Sequence, residues 1–566
     1  MKKILAILIC ITMLVVTFVG CDTTVSFDDQ FDAPDTDDIE SGKNTDKVEE
    51  SDDTKATEED SKATEEDKKD EEKPLEPLPE SSKGLWFELN EDGKGYTLMG
   101  NFDCKSSNLV VGQYKGLPVT AISPTFRMYD FTGSITIGHS VTELHAENFV
   151  GISPFLTNIT VQEGNPAYQG TGNCLIETAT RTMILGSRSS VIPDDGSVTT
   201  IGENAFRNLN GLMSIVIPDS VTVIENNAFD YCDSLKSVVL SKNLKSIGDC
   251  AFEDTEISGD LVIPEGVTYV GKYAFLSASI SSVTIPSTLK KIEEGTFCWT
   301  PLKNVTFSSG LTTIGKSAFA QCSVLESIVI PEGVTTIEED AFASCPDLKN
   351  LSIPNSLKKV PTMTTMLMSC RKVVYNEYCG GLYLGNDTNP YVCLIRRISS
   401  STPLTEIHPE TRIVNGGLSG LKGDVFIPKN VHWISEEALY NRKDVTSLKV
   451  DKDNPVYYSE ANCIIERATG TLVLGIDSSV IPNDENITVV GERALSCLEA
   501  TEIDIPKNYK EFRKAAFAYC SNLETINYAG TMAEWKAIEK GEYWNEGTKD
   551  YTVRCIDGDI AKADDI

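Results

Sequence analysis

Between residues 201 and 354, apolar and polar positions recur with a single period. An Ala-Phe pair marks the phase: Ala205-Phe206, Ala228-Phe229, Ala251-Phe252, Ala274-Phe275, Ala318-Phe319 and Ala341-Phe342, with Thr296-Phe297 filling the one gap. Successive phenylalanines are 22 or 23 residues apart. A second marker keeps step: Ile217-Pro218, Leu240-Ser241, Ile263-Pro264, Ile285-Pro286, Phe307-Ser308, Ile330-Pro331 and Ile353-Pro354. Ahead of it run short alternating stretches such as Ser214-Ile215-Val216-Ile217 and Ser327-Ile328-Val329-Ile330, whose period of two and β-branched residues predict strands. Proline ends each strand because it has no N–H to donate. A second short apolar pair follows, Val-Thr-x-Ile or Leu-Lys-x-Ile, and then Ala-Phe. A unit this small cannot bury its own apolar side, so the pattern predicts stacked coils, a solenoid.

The same reading extends outward. Trp86-Phe87-Glu88-Leu89 and Tyr96-Thr97-Leu98-Met99 flank Asn90-Glu91-Asp92-Gly93-Lys94-Gly95, which predicts a hairpin over the first coil. Such a cap would cover strand edges that an open end exposes. Phe126 and Phe149 then begin the ladder. A longer module occurs twice, 289 residues apart: Asn165-Pro166-x-Tyr168 with Asn173-Cys174-Leu175-Ile176-Glu177, and Asn454-Pro455-x-Tyr457 with Asn462-Cys463-Ile464-Ile465-Glu466. Each reads as a repeat carrying an inserted hairpin, with strands near 174–177 and 182–185 in the first copy. Leu382-Tyr383-Leu384, Asn389-Pro390-Tyr391 and Val392-Cys393-Leu394-Ile395 resemble a divergent inserted module. Thr531 is placed to N-cap a short helix over 532–540 within a terminal cap.

Charge and composition change the picture at the N-terminus. The chain has 566 residues and a formal net charge of −34. That acidity argues against nucleic-acid binding through a basic surface. Lys2 and Lys3 precede an apolar, uncharged run from Ile4 to Val16, which reads as an export signal. The signal ends Phe18-Val19-Gly20-Cys21, which resembles a bacterial lipobox with Cys21 as the lipidated residue; Phe18 departs from the usual leucine. Residues 22–84 hold 24 acidic and 8 basic residues, and Lys-Ala-Thr-Glu-Glu-Asp occurs twice. Such a composition predicts a disordered tether, with an r.m.s. span of ~45 Å before self-repulsion extends it.

The repeated phase, from about Pro124 to Ser521, resembles the BspA-like class of leucine-rich-repeat proteins of microbial cell surfaces. Gly116-Leu117-Pro118-Val119-Thr120-Ala121-Ile122 resembles that family's entry into its first repeat, and Ile526-Asn527-Tyr528-Ala529-Gly530-Thr531 with Glu534-Trp535 resembles its terminal segment. The resemblance implies a leucine-rich-repeat solenoid, mainly β, with short parallel strands in coils of 22–23 residues and capped ends, preceded by the disordered acidic N-terminal tether that composition predicts. It also implies adhesion or protein–protein interaction. The expected order is a lipoprotein-type signal (1–21), linker (22–84), hairpin cap (85–123), repeats (124–361, with a long repeat at 156–206), an irregular inserted module (362–424), repeats (425–525, with a long repeat at 446–495), and a C-terminal cap and tail (526–566).

Catalytic chemistry finds little support. Gly310-Leu311-Thr312-Thr313-Ile314-Gly315-Lys316-Ser317 matches a phosphate-binding loop in letters, but its phase puts it on a strand and turn locked between coils. The four histidines, His139, His145, His408 and His432, have no metal-ligand spacing, and the Asp-Gly hairpin lacks alternating calcium ligands. No catalytic, metal or cofactor residue is assigned. Of the sixteen cysteines, Cys232, Cys322, Cys345 and Cys520 share one repeat phase, with Cys298 and Cys497 close to it. Periodic placement predicts packing rather than disulfides, since a buried thiol is a small hydrophobe.

The candidate ligand-facing residues lie between the inward positions of the first strand: Val216, Val239, Val262, Thr284, Thr306, Val329 and Ser352. The second strand offers Thr222, Lys245, Thr268, Lys290, Thr312, Thr335 and Lys358. These rows suit an extended partner held by many weak contacts. The expected protein is a monomer at the outer face of a bacterial membrane, held by its lipid alone, with extracellular or host proteins or surface glycans as partners and no nucleic acid. The alternatives are a cell-envelope or polysaccharide-binding module, which would call for exposed aromatic platforms the two rows lack, and, more remotely, a hydrolase.

Overall fold

The computed structural model describes residues 75–565, apart from 127–132, 146–147, 149–155, 362–365, 400, 403, 419–421, 437, 439–441 and 443. The export signal, Cys21, most of the tether and Phe149 lie outside the described residues. The described residues belong to one compact unit.

That unit is a β-solenoid. Its first strands pair in parallel from coil to coil: Ser214–Val216 with Ser237–Val239, then Gly259–Val262 with Ile280–Ile285 and Asn304–Phe307, then Ser327–Val329 with Asn350–Ser352. The second strands are only two residues long and form their own ladder, as in Val223–Ile224, Ser246–Ile247 and Tyr269–Val270. The threonine and lysine positions of the second row therefore sit one residue before the strand. They still join the ladder: Lys245 N–H donates to Thr222 O at 2.8 Å, and Thr268 N–H donates to Lys245 O at 2.9 Å.

The Ala-Phe pairs make a third column. Each Phe N–H donates to the carbonyl of the residue before the next Phe, for instance Phe229 to Ala251 and Phe252 to Ala274, both at 2.8 Å. The rings follow the backbone. From Phe206 through Phe229, Phe252, Phe275, Phe297 and Phe319 to Phe342, neighbours stack with centroids 4.8–5.7 Å apart and planes within 14°. All seven are fully buried. Such offset stacks add to the apolar area that each ring removes from water.

This column needs left-handed backbone twice per coil. The residue before each Ala-Phe pair has φ between 52° and 61°: Asn204, Asn227, Cys250, Tyr273, Gly295, Ser317 and Asp340. The residue two after each Phe behaves likewise, as at Tyr231, Trp299 and Gln321. A non-glycine residue there costs about 1–2 kcal/mol. The cost is offset because the twist aims each N–H at the next coil, as in Cys250 to Lys272 O and Tyr273 to Glu294 O, both 2.9 Å.

The long module is a three-stranded meander. Tyr168–Thr171, Cys174–Glu177 and Thr182–Leu185 pair antiparallel, and the last strand then joins the parallel second-strand ladder at Thr200–Ile201. Tyr457–Glu460, Cys463–Glu466 and Thr471–Leu474 repeat this. The Asn-Pro motif has a mechanical role. Asn165 Nδ2 donates to Gly138 O and Val141 O while its Oδ1 accepts from Ala167 and Tyr168 N–H; Asn454 does the same with Pro428, Val431, Val456 and Tyr457. The irregular stretch holds a third such meander, Asn376–Tyr378, Gly381–Leu384 and Cys393–Arg397, the last strand parallel to Ile413–Val414.

Both ends differ from the sequence reading. Residues 75–84, assigned to the linker by composition, lie along the first coils: Gln113 N–H donates to Pro79 O at 2.8 Å, and Gln162 Nε2 donates to Pro77 O at 2.9 Å. The hairpin Leu85–Leu89 and Tyr96–Asn101 then pairs in parallel with Leu117–Ile122. At the other end, Thr531 caps a helix that spans only Met532–Lys536, with Glu534 completing the capping box. It stops short because Glu539–Lys540 is a strand, parallel to Glu511–Phe512.

Candidate functional site

Register fixes the outward row of the first strand. Val216 pairs with Val239, Val262 with Thr284, Thr284 with Thr306, and Val329 with Ser352. Val216, Val239, Val262 and Val329 are 54–64% exposed, Thr306 is exposed, and Thr284 and Ser352 are half-buried. Their chain neighbours, such as Ile215, Ile217, Val283 and Ile328, are buried. The alternation that buries one face thus leaves a column of β-branched side chains on the other.

Three exposed apolar residues that sequence reasoning missed extend this surface. Met213 and Val374 occupy the coil position just ahead of the strand, and Phe426 takes the outward place beyond the irregular module, opposite Lys449. The signal for Phe426 was present: Gly423-Asp424-Val425-Phe426-Ile427-Pro428 reads in phase with Gly259-Asp260-Leu261-Val262-Ile263-Pro264. Further on the row turns polar, through Asp504, Asn527 and Arg554. The apolar column therefore belongs to the coils before the second long module. Ion pairs link adjacent coils beside it, Lys349–Glu326 at 3.2 Å and Lys372–Asp347 at 2.6 Å. Both are exposed and add little stability.

The other candidate chemistries resolve differently. Thr313–Ile314, inside the loop-like motif, is a ladder strand between Lys291–Ile292 and Thr336–Ile337, and Lys316 Nζ lies 3.6 Å from the Glu339 carboxylate. Asp92 Oδ1 accepts from Lys94 N–H and closes the hairpin turn. Among the described residues no cluster of three or more His, Cys, Asp or Glu side chains is arranged to hold a metal. Burial, with Glu253 and Asp254 nearby, pushes the Asp230 carboxyl up to about 7, although Arg207 Nε stands 2.9 Å away.

All fourteen described cysteines are unbridged. The periodic ones donate to the ladder carbonyl of the preceding coil: Cys232 to Phe206, Cys345 to Phe319 and Cys520 to Leu495, at 3.0–3.1 Å. Cys370 joins them through Phe342 O at 3.0 Å, outside the regular spacing. Burial pushes the Cys232 thiol up to about 12. Cys345 is held far above the usual thiol range by its hydrogen bonding with Cys322, with burial adding to it. Thiols kept protonated are poor nucleophiles for disulfide exchange. Non-reducing peptide mapping is therefore expected to find Cys322 and Cys345 unjoined, although they stack in adjacent coils. A recovered Cys322–Cys345 peptide would overturn the packing account.

Stacked coils with two parallel ladders and a buried aromatic column define a leucine-rich-repeat solenoid. Residues 187–275, 258–373 and 475–541 match the family model of the BspA type leucine rich repeat region, in six copies. The repeats within residues 187–373 and 475–541 are of that BspA type. Several solved structures are similar. A leucine-rich cell surface protein from Faecalibacterium prausnitzii is 21% identical over 53% of this chain and 94% of its own, with a TM-score of 0.29. A leucine-rich repeat protein from Bacteroides ovatus is 20% identical over 82% and 91%, with a TM-score of 0.28. The pneumococcal vaccine antigen PcpA is 14% identical over 85% and 99%, with a TM-score of 0.30. No curated protein matches.

Proposed function

We infer that this chain is an exported, lipid-anchored, non-catalytic binding protein that holds an extended extracellular protein partner along its first-strand face. The exposed column Val216, Val239, Val262, Thr284, Thr306, Val329 and Ser352 carries this reading. Four valines of this column are more than half exposed, three of them in successive coils, and contiguous apolar surface of this kind marks interaction sites. Each covered valine contributes modestly, at about 25 cal/mol per Å² of apolar area removed from water, so useful affinity needs many coils engaged at once.

The test is direct. The chain from residue 22 onward is probed against extracellular matrix proteins and glycans side by side. A variant with Val216, Val262 and Val329 all changed to Asp is expected to lose most binding to the protein ligand while melting as the parent does. Undiminished binding would remove the contact surface from this face. Retention only by glycans would favour the polysaccharide reading.

Anchoring is tested separately. Cys21→Ser is expected to move the protein from the detergent phase to the aqueous phase, because the lipid would be its only strong membrane attachment. No described helix is long and apolar enough to cross a membrane. Aqueous partitioning of both parent and variant would refute lipidation.

A further inference from the structure

We propose that the seam between the regular array and the coils beyond the irregular module is a binding site for a tetrahedral oxyanion, a phosphate or sulfate ester. The second-strand row runs Thr222, Lys245, Thr268, Lys290, Thr312, Thr335 and Lys358, and the irregular module then interrupts it. It resumes as Arg412 and His432, whose N–H groups donate to Val392 O and Arg412 O. The two segments do not merely follow one another. His432 Nε2 donates to Leu357 O at 2.9 Å and Asn415 Nδ2 donates to Pro361 O at 2.7 Å, so the resumed row is drawn against the end of the first.

The result is an open cleft of about 750 Å³ between the two segments. Lys358, Arg412 and Lys429 reach its wall from three different coils, with Asp453 the one carboxylate of the lining. Lys429 departs from the commoner pattern of this chain. Elsewhere the residue after the strand-ending proline is often acidic and accepts N–H groups of the next coil, as Glu265 does from Ser287 and Glu332 from Asn355. At the seam that position is Lys429. None of the three cations has an ion-pair partner among the described residues, and the Arg412 Nε is buried without a hydrogen-bond acceptor. Both facts stand out in a chain of net charge −34, which holds most anions off.

The chemistry of the ligand follows from the donors. A guanidinium fork and two ammonium groups approaching from separate coils suit an anion with oxygens on several sides. A flat carboxylate would engage one of them well. Phosphate and sulfate esters share this requirement, and the site does not depend on the first-strand face, which lies on the other ladder.

Calorimetric titration of the full chain with glycerol phosphate, glucose sulfate and acetate, at low salt, tests the site. Saturable binding of at least one ester, tighter than acetate, is expected, and the tighter ester identifies the source. Arg412→Gln should weaken it roughly tenfold and Lys429→Gln severalfold, the loss of one charge-assisted hydrogen bond each. Lys290→Gln, in the same row but away from the cleft, should change nothing. Lys429 is exposed, so Lys429→Gln reads out the site even where Arg412→Gln disturbs folding. Absence of saturable binding by both esters, acetate binding as tightly, or an equal loss in Lys290→Gln would overturn the assignment.

Discussion

Phe252→Ala is expected to lower stability by about 3–5 kcal/mol, the sum of lost transfer energy and an unfilled cavity. Phe252 is fully buried, stacked on Phe229 at 5.0 Å and on Phe275 at 5.3 Å. Truncation removes both stacking partners at once and leaves a hole between neighbours that backbone hydrogen bonds hold in place. In a one-dimensional array the damage weakens coupling to both adjacent coils, so opening should begin near residues 230–275 before the ends fray. Val262→Ala is the control. Its side chain is 62% exposed and leaves no cavity, so it should cost less than half as much. Hydrogen exchange on both variants reports the size and place of the change. Equal, small effects would mean that the stacked rings do not couple the coils.

Asp565→Ala is expected to loosen the C-terminal end by a comparable amount. Asp565 is buried and accepts from Trp535 Nε1 at 2.7 Å, from Tyr551 Oη at 2.9 Å and from Lys540 Nζ at 3.0 Å. Lys540 is itself nearly buried and lies over the Trp535 and Trp544 rings. Removing the carboxylate strands this ammonium in an apolar cap, at a cost of about 3–5 kcal/mol. Adding Lys540→Met to Asp565→Leu should recover much of the loss, because both charges then leave together. Denaturant unfolding with exchange read over residues 526–565 measures this. A single variant within about 0.5 kcal/mol of the parent would exclude a structural role for the network.

These two sites separate what was legible from what was not. The Phe column was written in the chain as a strict period. Each coil repeats the same local problem, burying one apolar side of a 22–23-residue unit, and stacking is the solution available to all of them. The outward valines were legible for the same reason, since alternation on a strand assigns one face once the other is known. The duplicated meander was legible as two modules at a constant offset, and Cys174–Glu177 and Thr182–Leu185 are its strands.

Asp565 shows the opposite case. Asp565 falls within the expected C-terminal cap and tail (526–566), and no local pattern pairs it with a lysine 25 positions earlier. Only the closing of the last coil brings Trp535, Lys540 and Tyr551 to one point. Residues 75–84 were lost to the linker in the same way, because carbonyls that accept from Gln113 and Gln162 leave no mark on composition. The basic cleft is also tertiary: Lys358 is distant in the chain from Arg412 and Lys429, and the contacts of His432 with Leu357 and of Asn415 with Pro361 bring the two segments together. By itself the sequence determined the solenoid, its phase and its faces, because these follow from periodic burial. The left-handed turns at residues such as Cys250, Tyr273 and Trp299, the seam, the docking of residues 75–84 and the Asp565 network were decided by tertiary structure, because each depends on hydrogen bonds between segments whose proximity no local pattern encodes.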